Sequence, residues 1–338
     1  MLGSREPRQT IINQESGNYT AEAISEFGYT SIFFGREGEV AAEPLSNLGQ
    51  TNQCHARLGV LKVEQLPFDL AANFLELYLT TIHHIYPFCE RATLRNLFRA
   101  SAESGLHAPY SRDSTLLLAV LAIGATVTDD SIWANSLFRQ AKANLDSWGD
   151  AISLRSVQFS ALLAEFHQIS GRPNSTMLTI GATAQKALAM GLHHETPFNP
   201  KTGRTLTEAD RIRARERNAS FWALYAQDRS LSLFHGRPAS INDMDVDISD
   251  PVGDCYLSAV VTLSRISNKV YYSAYGRKKG SVAEFCEKVQ GLREELSQLY
   301  ESLVPEHRFP LSQVELRDSS FNITMRQMML ALSSSPTT

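Results

Sequence analysis

From Pro67 onward, apolar residues recur at helical spacing along most of the chain, and no stretch alternates as a strand would. Pro67 suits a first helical turn, and Phe74, Leu77, Tyr78 and Ile82 continue its pattern to a stop before Pro87. The next run contains Leu116, Leu117, Val120, Leu121 and Ile123 and is apolar on nearly every face, which places that helix in the middle of a core. Asp113 stands where its cap is wanted, and Gly124 and Ala125 leave room for a neighbouring helix to come close. Further helices are expected at 131–147, 153–169 and 175–191. Met177, Ile180, Ala184 and Leu188 share one face of the last, and Gly191 falls where a left-handed glycine ends a helix. Thr207 with Asp210 forms a capping-box pattern for a long helix that runs into Phe221 and Trp222. Two more helices follow near 255–275 and 281–303. The pattern predicts an all-α fold without internal repeats.

Residues 1–60 lack this periodicity and read as a mostly flexible leader, with one short ordered piece around Ile32 to Phe34. The helical unit is expected over 61–303. Residues 304–338 form a short C-terminal segment whose polar tail, SSSPTT, frays. At 338 residues, 43% hydrophobic and 20% charged, the chain can bury a sizeable core and has the balance of a soluble protein. A net charge of −4 argues against a chain built as a whole to grip nucleic acid by charge. The polar first residues carry no secretory signal, and the longest apolar run, Leu116 to Val127, is too short to cross a bilayer. Cys54, Cys89, Cys255 and Cys286 are widely separated, so they form neither a zinc ribbon nor a redox pair. Free thiols of this kind fit the cytosol or nucleus.

Candidate chemistry concentrates in FWALYAQDRSLSLFHGRPASINDMDVDISDP, from Phe221 to Pro251. Asp228 shares a helix face with Phe221, Leu224, Tyr225 and Leu231, and a carboxylate on an apolar face needs a partner. Arg237 in the Gly-Arg-Pro turn just after that helix, or Arg172 in the earlier Gly-Arg-Pro at 171–173, is expected to supply it. The three residues are structural anchor candidates, an internal brace in preference to a catalytic acid. Asp243, Asp245 and Asp247 match the opening of a calcium loop. However, Ile248 replaces its obligatory glycine and Asp254 its bidentate glutamate, so a solvated acidic loop is the better reading. The pairs His83-His84 and His193-His194 point about 100° apart on a helix and do not make a shared metal site. Arg211, Arg213, Arg215 and Arg217 interleave with Glu208, Asp210 and Glu216, which suggests a salt-bridged surface face. Arg277, Lys278 and Lys279 are a weaker basic signal. No nucleophile elbow, P-loop or dinucleotide fingerprint is present, and no catalytic, cofactor or metal residue is assigned.

Taken in order, HHIYPF at 83–88, LLLAVLAIGA at 116–125, SLFRQAKANLD at 136–146, SVQFSALLAEFHQISGRP at 156–173, TIGATAQKALAMGLHHE at 179–195 and the Phe221–Pro251 segment are similar to one family. The chain resembles the middle homology region of fungal-specific transcription factors over 67–251. The resemblance implies a nuclear, DNA-linked regulator, often dimeric, of a metabolic or secondary-metabolite gene cluster. Zinc would belong to a cluster of six cysteines that these four isolated ones do not form, so no cofactor is assigned to this chain. DNA would then be reached only indirectly or through a missing N-terminal module. Protein partners, a homodimer or heterodimer, and a small-molecule effector are expected, and a membrane is not. The family's members usually run further beyond Met328 and Met329. Two other classes stay open: an interfering partner of a full-length zinc cluster factor, and a helical enzyme of secondary metabolism.

Overall fold

The computed structural model describes residues 62–104, 111–128, 130–144, 151–195, 207–251, 255–275 and 281–303. The 1–60 leader with its Ile32–Phe34 piece, the basic group at 277–279, Cys54 and the 304–338 segment lie outside the described residues. The described chain is helical: α1 Phe68–Thr80, α2 Ile82–Ile85, α3 Arg91–Ser104, α4 Arg112–Val127, α5 Ser131–Ala143, α6 Leu154–Ile169, α7 Pro173–Ala189, α8 Glu208–His235, α9 Cys255–Tyr275 and α10 Val282–Ser302.

Two helices form the centre, as their composition requires. α4 is buried from Thr115 to Ala125, and α6 from Ser156 to His167. α4 is surrounded by α1, α3, α5 and α6; α6 in turn packs against α7 and α8. α8 carries the fold outward to α9, and α9 to α10. Aromatic side chains fill the joints. Phe138 of α5 stacks on Phe166 of α6 at 4.0 Å, and Phe221, Trp222 and Tyr225 meet edge-on along α8.

The closest approach is between α1 and α4. A Cβ added at Gly124 would lie 1.9 Å from the carbonyl oxygen of Phe74, so only glycine lets the two backbones touch. The caps mostly follow the sequence. The Thr207 and Asp210 side chains each meet the other's backbone N–H, and Gly191 adopts φ 68° just past α7. α4 is the exception: its cap is Ser111, which accepts from Ser114 N–H at 3.0 Å, and Asp113 turns instead to Arg155.

Two boundaries differ from expectation. The first helical pattern is interrupted at Thr81 (φ −111°, ψ −86°), which separates α1 from α2. α3 went unanticipated, although Leu94, Leu97 and Phe98 recur at helical spacing along one face and pack into the core.

Gly124→Ala is expected to lower stability by at least about 2 kcal/mol in urea denaturation, since the added methyl meets fixed backbone. Gly291→Ala on α10, where nothing lies within 4 Å, should instead gain up to about 1 kcal/mol from helix propensity. Equal effects at the two positions would contradict the described α1–α4 contact.

Candidate functional site: the buried polar face of the long helix

α8 is unusual in carrying polar and charged groups straight through the core. Ser220, Gln227, Asp228, Arg229 and Ser232 are all buried on it, among Phe221, Trp222, Leu224 and Tyr225. Three polar clusters result.

The first cluster surrounds Asp228, which is fully buried. Its carboxylate accepts the backbone N–H of Ser240 at 2.9 Å and of Ile241 at 3.0 Å. The arginine beside it is Arg229, at 3.4 Å. Among the described residues neither Arg237 nor Arg172 pairs with Asp228. Arg237 donates to Asn174 Oδ1, and Arg172 is the residue before the first turn of α7. The expected partner was displaced because the Gly236 turn carries Arg237 toward α7 while the chain after it returns its amides to α8. Burial pushes the Asp228 carboxyl upward, and the two amides and the guanidinium oppose that push. Every contact is a donor, so the ionised form fits the site.

Arg229 extends the cluster outward. It donates to the Ile241 carbonyl at 2.6 Å and to Asp243 at 2.7 Å, with its guanidinium 4.6 Å from the centre of the Tyr225 ring. Tyr225 and Asn268 also donate to Asp243, which is held below its usual pKa despite partial burial. Asp243 is thus occupied by the protein, while Asp245 and Asp247 are exposed. The strap runs on to Ser249, whose carbonyl accepts from Asn218 and Trp222, and to Asp250, which pairs with Arg265 of α9 at 2.6 Å. A short parallel bridge joins His194 to Asp247, and Glu195 accepts from Ser249.

The second cluster joins α6, α8 and the turn after α2. Arg155 donates to Glu216 at 2.8 Å, to Gln158 at 2.8 Å and to Cys89 Sγ at 3.2 Å. Gln158 and Ser220 both donate to the Phe88 carbonyl, and His83 Nε2 lies 2.6 Å from the Cys89 carbonyl. Burial pushes the Cys89 thiol up to about 12, which leaves it protonated and unreactive. Glu216, expected on the solvated arginine face, therefore points inward. Arg211 and Arg215 do share Glu208 on the surface, at 3.5 and 2.9 Å.

No group of three or more His, Cys, Asp or Glu placed to hold a metal occurs among the described residues, and none of their helices is long and apolar enough to cross a membrane. His83 is buried against Cys89, His84 packs on Tyr256 at 4.1 Å, and His193 stacks on His194 at 3.7 Å. The model of the fungal-specific transcription factor domain matches residues 75–259, more than half of the chain. The chain belongs to that family. An uncharacterized transcriptional regulatory protein of Schizosaccharomyces pombe is 25% identical over 280 residues, 73% of this chain and 35% of that protein. A second such protein from the same organism is 29% identical over 131 residues, 38% of this chain and 15% of the relative. The chain therefore spans about a third of the first relative and less of the second. No solved structure matches it significantly.

Within the transcription factor domain, a third cluster escaped sequence reasoning. Glu165 of α6 is 8% exposed, and Gln227 Nε2 of α8 donates to it at 2.8 Å. Burial raises its pKa, against a smaller pull from Gln227. A lone glutamate inside SALLAEFH was the only signal for it. Arg229 was equally hidden, because residues adjacent on a helix do not ordinarily face one another.

Asp228→Asn is expected to cost about 3 kcal/mol, since only one of its two terminal atoms can still accept, its NH2 group faces the Ser240 N–H and the Arg229 guanidinium, and Arg229 loses one of its two carboxylate partners. A loss below about 1 kcal/mol in chemical denaturation would refute that role. Glu165 predicts a pH effect of definite sign. Its folded pKa lies above the unfolded value of about 4.3, so the folded state holds the proton more tightly. The Glu165 contribution is complete below the unfolded pKa and is lost as pH rises through the folded one. Glu165→Gln should be more stable than the native chain at neutral pH, with the difference shrinking toward pH 4 (about the unfolded carboxyl range).

Proposed function

We propose that this protein regulates transcription through its helical domain, acting in the nucleus on genes of a metabolic or secondary-metabolite cluster. Membership of the fungal-specific transcription factor family across residues 75–259 carries the reading. Both curated relatives are themselves named as transcriptional regulatory proteins. The polar groups that sequence singled out for chemistry support it as well. Asp228, Asp243, Cys89 and His83 are each bonded within the fold, in arrangements that brace helices and do not present a nucleophile or base to a substrate.

In this reading the domain works through contacts with partner proteins or with a second copy of itself. DNA would be reached only indirectly or through a separate N-terminal zinc-binding module, and a small effector would bias the helical unit.

Fusing the full chain to an unrelated DNA-binding module tests the proposal. A reporter carrying that module's sites should change expression at least several-fold relative to the module alone. Stable nuclear accumulation of the fusion without any change in the reporter would count against regulation, and turnover of a metabolite by the purified chain would favour catalysis.

A further inference from the structure

The chain contains the same Gly-Arg-Pro turn twice, at 171–173 after α6 and at 236–238 after α8, and the fold brings the two together. Both glycines are left-handed, at φ 66° and 59°. In each turn the arginine N–H reaches back to the helix it has just left, Arg172 to His167 at 2.9 Å and Arg237 to Ser232 at 3.0 Å. The Arg237 side chain donates to Asn174 in the first turn of α7 at 3.0 Å, and His235 Nε2 meets Gln168 Oε1 at 3.1 Å. Phe138 packs edge-on against His167 with ring centres 5.1 Å apart, which brings Lys142, one turn further along α5, toward the same end.

Three cationic side chains border this junction. Among the described residues, none of Lys142, Arg172 and Arg237 has a carboxylate in ion-pair reach. His167 is 6% exposed and His235 9%, yet each has a buried Nδ1 with no hydrogen-bond partner. Burial, with Arg172 and Lys142 nearby, pushes His167 down to about 4; burial and Arg237 lower His235. α7 is seventeen residues long, and its N-terminus opens here. Pro173 has no N–H and the Thr176 N–H returns to the Arg172 carbonyl, which leaves the Asn174 and Ser175 amides without an intrahelical acceptor, and the helix dipole favours an anion. Like charges and orphaned donors in one place are unfavourable without a counter-ion.

We propose that this junction is a binding site for a small-molecule oxyanion, a phosphoryl or carboxylate group. Arg172, Arg237 and Lys142 supply charge, and the Asn174 and Ser175 amides at the start of α7 supply N–H donors. An anion there would also favour protonation of His167 and His235, which Arg172, Lys142 and Arg237 now oppose. Its use as an effector site rests on the regulator reading. The binding itself does not, so a silent reporter and an empty junction are separate results.

The test is calorimetry and thermal denaturation of the purified full chain with inorganic phosphate and with malonate, against sodium chloride at matched ionic strength. Saturable binding of either, above the chloride reference, is expected. Tighter phosphate binding marks a phosphoryl ligand, and tighter malonate binding marks a carboxylate one. Arg172→Gln and Lys142→Gln, whose side chains brace nothing among the described residues, should each weaken binding about tenfold while leaving the helical spectrum unchanged. Phosphate and malonate indistinguishable from chloride would overturn the proposal, as would binding unaltered in both variants.

Discussion

Asp228 has no access to water, so every lone pair of its carboxylate has to be met by protein. The groups that meet it come from the chain just beyond its own helix. The amides of Ser240 and Ile241 can reach the carboxylate only if α8 stops at Gly236 and the chain doubles back. That return sets the path of the whole strap to Asp250. Arg229 grips the strap's Ile241 carbonyl and Asp243, Trp222 and Asn218 hold Ser249, and Arg265 of α9 closes the far end on Asp250. An apolar residue at 228 would leave two buried amides without acceptors, and the strap would lose its reason to lie against the helix.

The same economy governs the middle of the domain. α4 and α6 are buried on all sides, so they offer no solvated face on which polar groups could rest. Where α6 carries Gln158 and Glu165, α8 answers with Ser220 and Gln227. Such bonds fix the rotation of one helix against its neighbour, which apolar packing alone leaves loosely specified. On the other side of α4 the constraint is steric, because Gly124 admits the α1 backbone. Family membership and this construction agree: conspicuous polar residues in the sequence are consumed in holding helices together. Among the described residues, Lys142, Arg172 and Arg237 near the two Gly-Arg-Pro turns stay without a carboxylate partner.

Much of this was readable in advance. The positions of α4, α6, α7, α8, α9 and α10 follow from apolar spacing and end signals, because burial of one face or of all faces leaves a periodic trace. α3 left such a trace too, in Leu94, Leu97 and Phe98, but a short one set among polar residues. The break at Thr81 coincides with the Thr80 and Thr81 hydroxyls bonding back to the Glu76 and Leu77 carbonyls, a pattern that a Thr-Thr pair does not announce by itself. Asp228 was legible as a residue needing a partner, but the partner was not: it is the adjacent Arg229 together with two main-chain amides. Main-chain donors have no sequence signature, and a neighbour one residue away becomes a partner only when the chain wraps both side chains in the same strap.

The linear chain was enough to settle the all-helical class, the central place of α4, the left-handed ending at Gly191, and the resemblance that family membership bears out. Each depends on local periodicity, on backbone sterics or on an ordered series of segments, all of which can be read along a single strand of residues. Three-dimensional packing was needed to turn Glu216 inward to Arg155, to bring Arg237 to Asn174 and Gln227 to Glu165, and to seat two distant Gly-Arg-Pro turns at one junction. Those pairings join residues tens of positions apart, and their partners are chosen by the packing of whole helices, which no short stretch of sequence records.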